Sequence, residues 1–212
     1  MEPTDQSTSA AEINKAATVH FSLRVETRLL PLFFQLLGGG FKMIVPTNCS
    51  VKELLCRHLN IQEDYLEKRI QTIILNGKTV DNVNSATVAE GSTLALSGAM
   101  PGLVGAILRT GGVLAPMRRQ ISHNQTASEA KHDKGKVNLK LFNLVAKELG
   151  PDFLQQGVWI QGKRLQEFIL QYLEDLMKGC NALKLDGNSL EKSQLSQIDL
   201  STQSVFLRIT TK

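Results

Sequence analysis

The sequence predicts an α+β protein made of two similar units in tandem, and three observations carry that reading. Short runs alternate apolar and polar residues with the two-residue period of a half-buried strand, as in Phe21-Ser-Leu-Arg-Val25 and Val137-Asn-Leu-Lys-Leu141. The stretch Leu165, Phe168, Ile169, Tyr172, Leu173 and Leu176 has helical spacing on one face. The order of such signals recurs at a nearly constant offset of roughly 110–117 residues, as an internal duplication would produce.

Bulk properties are compatible with this. The chain has 212 residues, enough for one large or two small domains. With 42% hydrophobic and 21% charged residues it has the composition of a globular protein. A net charge of +4 is too small to argue for nucleic acid by itself. Cys49, Cys56 and Cys180 are odd in number and lack CxxC spacing, so neither a disulfide framework nor a zinc site is expected, and a reducing compartment fits. No signal peptide is read at the N-terminus. The longest mostly apolar run, 94–108, is broken by Ser97, glycines and Pro101, and falls short of the roughly 20 residues of a membrane span. A soluble, cytoplasmic protein without cofactor is expected.

Residues 1–17 are small and polar and read as a disordered lead-in. In the first unit, 18–98, the strand at Phe21–Val25 precedes a second apolar stretch, 28–37, which contains Pro31. Gly38-Gly39-Gly40 then breaks the chain, and Phe41, Met43 and Val45 read as the return strand of a hairpin. Ser50 and Glu53 form a capping-box signal for a helix carrying Val51, Leu54, Leu55 and Leu59. Ile73 to Leu75 is a buried strand ended by the tight-turn pair Asn76-Gly77. Gly91 marks another turn, and Leu94 and Leu96 a last strand.

The interval 99–135 reads as a connector, apolar and basic at first and polar from His123. The second unit, 136–212, repeats the order. It has a strand at Val137–Leu141, a turn at Gly150-Pro151, a strand around Trp159, the helix above, a tight turn at Asp186-Gly187, and a final strand through Val205, Leu207 and Ile209.

Three segments of the first unit carry a family likeness: Ile74-Leu-Asn-Gly-Lys-Thr-Val80, Ala89-Glu-Gly-Ser-Thr-Leu-Ala-Leu96 and Met100-Pro-Gly102. Together they resemble the molybdopterin-synthase small-subunit and thiamine sulfur-carrier family, and Val137 to Gly150 resembles that family's opening strand and the turn of helix after it. The resemblance implies two ubiquitin-like β-grasp domains in tandem, each a mixed sheet around a helix. It also implies sulfur-carrier chemistry, which acts through a free C-terminal glycine carboxylate. Here the matching position, Gly102-Leu103, is internal, and the second unit ends Thr210-Thr211-Lys212. The chemistry is therefore not expected.

The expected function is a non-enzymatic scaffold or adaptor that works through protein contacts. Its candidate partner-binding residues lie in the connector: Met100, Pro101, Gly102 and Leu103, then Arg109, Gly111, Gly112, Arg118 and Arg119. One alternative is a carrier or modifier precursor released by cleavage after Gly112, since Leu108-Arg-Thr-Gly-Gly112 resembles a modifier tail; the plainer reading of Gly111-Gly112 is a turn. A second alternative is an RNA-binding module using the basic connector. Nucleic acid is the less favoured partner, because little aromatic interleaving supports base stacking. His20, His58, His123 and His132 lack metal-ligand spacing. Cys56 reads as a core residue; Cys49 precedes a helix whose dipole favours a lower pKa, but with Lys52 as its one evident basic neighbour it reads as an ordinary cysteine.

Overall fold

The computed structural model describes residues 18–114 and 133–212. The strand β1, Thr18–Val25, forms where the alternation is cleanest and buries Val19, Phe21, Leu23 and Val25 on one side. A short 3₁₀ turn, Thr27–Leu29, leads into helix α1, Leu30–Gly39. Pro31 occupies its first turn, where a missing N–H costs no helical hydrogen bond. Gly40, at φ 109°, ends the helix and opens β2, Phe41–Pro46. The expected hairpin across Gly38-Gly39-Gly40 is therefore a strand–helix–strand unit, and β1 and β2 are not paired with each other.

β3, Cys49–Ser50, pairs with β6, Thr87–Val88, in a separate two-stranded sheet. The Ser50 hydroxyl accepts the Glu53 amide at 3.1 Å and caps the short α2, Val51–Glu53, which runs on into a π turn, Leu54–His58. Helix α3, Glu63–Lys68, precedes β4, Thr72–Leu75, and β5, Lys78–Thr79. Asn76 and Gly77, at φ 50° and 79°, make the tight turn between them. β7 is Thr93–Ser97 and helix α4 is Gly102–Leu108.

The second half opens with β8, Lys134–Phe142, and α5, Asn143–Gln156. The turn expected at Gly150-Pro151 lies inside α5 instead, where Gly150 allows Phe34 and Leu37 to approach closely. β9, Val158–Gln161, leads to α6, Gly162–Gln171, and α7, Leu173–Gly179, so the single expected helix is broken at Tyr172. β10, Cys180–Leu185, and β11, Asn188–Ser189, are joined by Asp186-Gly187 at φ 48° and 84°, the counterpart of the Asn76-Gly77 turn. β12, Ser204–Thr211, closes the half.

These elements form a mixed α/β molecule around one large sheet of ten strands, in the order β11-β10-β1-β12-β9-β2-β8-β7-β4-β5. The two halves exchange their opening strands. β1 lies between β10 and β12, parallel to β12, while β8 lies between β2 and β7, parallel to β7. The intervals 18–98 and 136–212 keep their own element order, but each supplies a central strand to the other's end of the sheet. Helices α1, α5, α6 and α7 pack on one face. One continuous core joins them to the strands, with Phe33 against Phe168 at 4.9 Å and Phe41 against Phe153 at 5.4 Å between ring centroids.

Candidate functional site

The strand alternation that buries one set of side chains places the other set on the face opposite the helices. Thr18, His20, Ser22 and Arg24 of β1 are at least partly exposed, as are Ser204, Phe206, Arg208 and Thr210 of β12. This face has a distinctive composition. Arg24, Lys42, Lys136, Lys140, Lys184 and Arg208 stand on it, and no strand among the described residues contains Asp or Glu. The acids of the described residues lie in helices, turns and loops. Asp186 is engaged by the backbone N–H of His20 at 2.8 Å, and Asp199 by Ser201.

Register pairing sets one row of side chains across six strands: His20 on β1, Phe206 on β12, Trp159 on β9, Lys42 on β2, Asn138 on β8 and Thr93 on β7. Paired residues point to the same side, and strands lie about 4.8 Å apart, so the row spans about 24 Å. Its aromatic end is packed. Trp159 and Phe206 have ring centroids 5.1 Å apart, His20 and Phe206 5.2 Å, and His20 and Trp159 6.1 Å in an edge-on arrangement. Gly157, at φ 102°, makes room for this group, since a Cβ there would lie 2.3 Å from the Phe206 ring.

Two hollows flank the row. The larger, of about 600 Å³, is lined by Lys42, Asn138, Trp159, Gln161, Arg164 and Gln203 among others, with no carboxylate in its wall. The Arg164 guanidinium donates to the carbonyls of Gly40 at 2.5 Å and Leu36 at 2.9 Å, which fixes it at the end of α1. Burial pushes its pKa down, against the opposing influence of Glu167, but an arginine starts so high that it stays charged. Gln203 lines the cleft, while its Oε1 is enclosed by protein with no hydrogen-bond partner among the described residues. The smaller hollow, of about 170 Å³, is lined by Ser22, Arg24, Lys184, Arg208 and Thr210 together with Leu23 and Ala182. Arg208 is oriented there by donating from Nε to the Gln155 carbonyl at 2.8 Å. The arrangement offers cations, polar donors and flat aromatic surface together, and suits a ligand that is both anionic and planar.

The connector residues lie elsewhere. Met100, Pro101, Gly102 and Leu103 open α4, and Arg109, Gly111 and Gly112 follow it. Leu103 and Val104 are each 68% exposed, and Val113 is 95% exposed. The segment is tied to the β4–β5 edge: the Thr110 N–H donates to Gln71 O at 2.8 Å and its hydroxyl to Val80 O at 3.2 Å. Gly111 sits at φ 64° and the Gly112 N–H donates to Arg109 O at 3.1 Å, so the glycine pair forms a turn. Arg118 and Arg119 lie outside the described residues, as do His123 and His132.

Burial pushes the Cys49 thiol up, with the nearby Glu53 carboxylate adding to the effect, so the dipole argument for a lowered pKa fails there. Cys56 and Cys180 are raised by burial as well. Among the described residues no group of three or more His, Cys, Asp or Glu could hold a metal, and no helix is long and apolar enough to cross a membrane.

The aromatic row was missed from sequence because its rings come from three separate strands: His20, Trp159 and Phe206 are never neighbours in the chain. The available signal was the lack of Asp and Glu in every run of strand-like alternation. Comparison with known proteins returns no matching family model, no matching curated protein and no matching solved structure.

Proposed function

We propose that this chain is a non-catalytic binding protein whose open sheet face docks an anionic partner. The observation that supports it is the distribution of charge. The chain carries only +4 overall, yet the strands among the described residues hold cations and no carboxylate, and two hollows on that face are lined without acids. Clustered cations on a surface with few counter-charges raise the local potential and speed capture of anions. Protein scaffolds related to the sulfur-carrier β-grasp family remain the structural ancestry we propose. The matched Asn-Gly and Asp-Gly hairpins and the parallel pairing of an opening with a closing strand at each end of the sheet favour it. Gly102 is internal, so the carrier chemistry itself is not part of the proposal.

The test is binding to immobilised heparin across a salt series, with the variant Lys42→Glu/Lys184→Glu/Arg208→Glu in parallel. The wild type is expected to be retained and to elute with rising salt, and the folded variant to flow through. Equal elution of the two proteins, or no retention of either at low salt, would count against the reading.

A further inference from the structure

The row of rings adds to the anionic docking reading something that charge alone does not explain. Charge alone gives no role to a Trp, a Phe and a His held side by side on this face. They lie outside the core: Trp159 and Phe206 are half-buried, while the neighbouring positions Val158, Ile160, Val205 and Leu207 fill the core side of the same strands. We infer that the partner is a single-stranded nucleic acid, with bases stacked on Trp159 and Phe206 and phosphates held by cations on either side. This inference rests on the anionic docking reading above and narrows it.

The dimensions and chemistry fit. An aromatic face stacks any base because every base has a π surface, and cations beside it follow the backbone. Here the rings lie between a hollow bearing Arg24, Lys184 and Arg208 and a wider cleft bearing Lys42 and Arg164. The wider cleft has room for an unstacked base. Its wall offers the amide groups of Asn138 and Gln161, which can hydrogen-bond the edge of a base. Double-stranded nucleic acid does not fit this arrangement, because its bases are stacked on one another and present no free face to Trp159.

Trp159 is the sole tryptophan, so no other tryptophan contributes to the emission that reports on the proposed contact. The full chain would be titrated with a single-stranded oligonucleotide of about 10 nucleotides, in RNA and DNA versions, and with a duplex of the same sequence. Quenching by the single strands and little response to the duplex are expected. With an end-labelled oligonucleotide followed by anisotropy, Trp159→Leu is expected to weaken binding by about 5–150-fold, the measured range for loss of one stacked base. Phe206→Leu is expected to weaken it too, and Arg24→Ser/Lys184→Ser, which alters only exposed side chains, to flatten the salt dependence. Far-UV circular dichroism checks that each variant is folded, and the exposed double variant keeps the test valid if either ring variant is not. If heparin is retained but the single strands bind no better than the duplex and Trp159→Leu changes nothing, this inference falls and anionic docking stands. If neither heparin nor oligonucleotide binds, both fall. A response to RNA alone or to DNA alone supports the inference and identifies the sugar.

Discussion

Replacing Phe21 by Ala tests whether the two halves really exchange strands. Phe21 is fully buried on β1, opposite Leu207 of β12 and Leu185 of β10 in register. Truncating a buried Phe to Ala removes its transfer free energy and leaves a cavity, together about 3–5 kcal/mol. For a molecule of this size each kcal/mol lowers the melting temperature by about 2–4 °C, so a fall of about 6–20 °C is expected. The informative point is which part of the molecule feels it. Phe21 belongs to the first half in sequence, whereas the only tryptophan, Trp159, belongs to the second and sits on β9 beside β12. Thermal unfolding would be followed by Trp159 fluorescence and by far-UV circular dichroism on the same samples. One cooperative transition, displaced equally by both probes, is expected. Two transitions in which the Trp159 signal does not move would refute the exchanged pairing and restore two independent units along the sequence.

Further outcomes follow from particular contacts. Gly157→Ala forces an unfavourable backbone and drives a methyl into the Phe206 ring, so a loss of about 2–4 kcal/mol by denaturant titration is expected, together with altered Trp159 emission. The Glu148 carboxylate is held below its ordinary range by hydrogen bonds from Arg69 and then Tyr65, linking α5 to α3 and the turn after it. A lowered carboxylate pKa gives stability that is present above the unfolded value and lost as pH falls through the folded one. The midpoint difference between wild type and Glu148→Gln is therefore expected at neutral pH and to shrink progressively as the pH falls below the ordinary glutamate value of about 4.3. Protease nicking after Gly112 is expected to leave both fragments together in native gel filtration and to release them only in denaturant. The reason is that β8 remains bound to β2 and β7, and β1 to β10 and β12; separation of the fragments without denaturant would contradict this.

Local chemistry was the legible part of the sequence. Asn76-Gly77 and Asp186-Gly187 turn where expected because both positions need positive φ, and Ser50 caps its helix through its own hydroxyl. The alternation of β1, β8 and β12 identified strands and buried faces correctly. Residues 30–39 were misread because a continuous apolar run has no period to distinguish helix from strand, and Pro31 and the glycines look like breakers until Pro31 is seen in a first turn. Gly150-Pro151 has turn chemistry, but packing of Val145, Ala146, Phe153 and Leu154 keeps α5 helical through it. Strand partners were not legible at all. Alternation tells which side of a strand is buried and is silent about its neighbour, so neither the exchange of β1 and β8 nor the meeting of His20, Phe206 and Trp159 could be read from spacing.

The exchange also has a consequence for how the molecule is made. The Leu23 carbonyl of β1 is met by the Thr210 hydroxyl of β12, 187 residues further along the chain. At a synthesis rate of about 5–20 residues per second, β1 waits roughly 10–40 s for its neighbours. Through that interval Val19, Phe21, Leu23 and Val25 form an unpaired apolar strand on a nascent chain. Such a strand is a target for chaperones and for self-association, so yield on expression should depend more on temperature and on chaperone supply than on the stability of the finished fold.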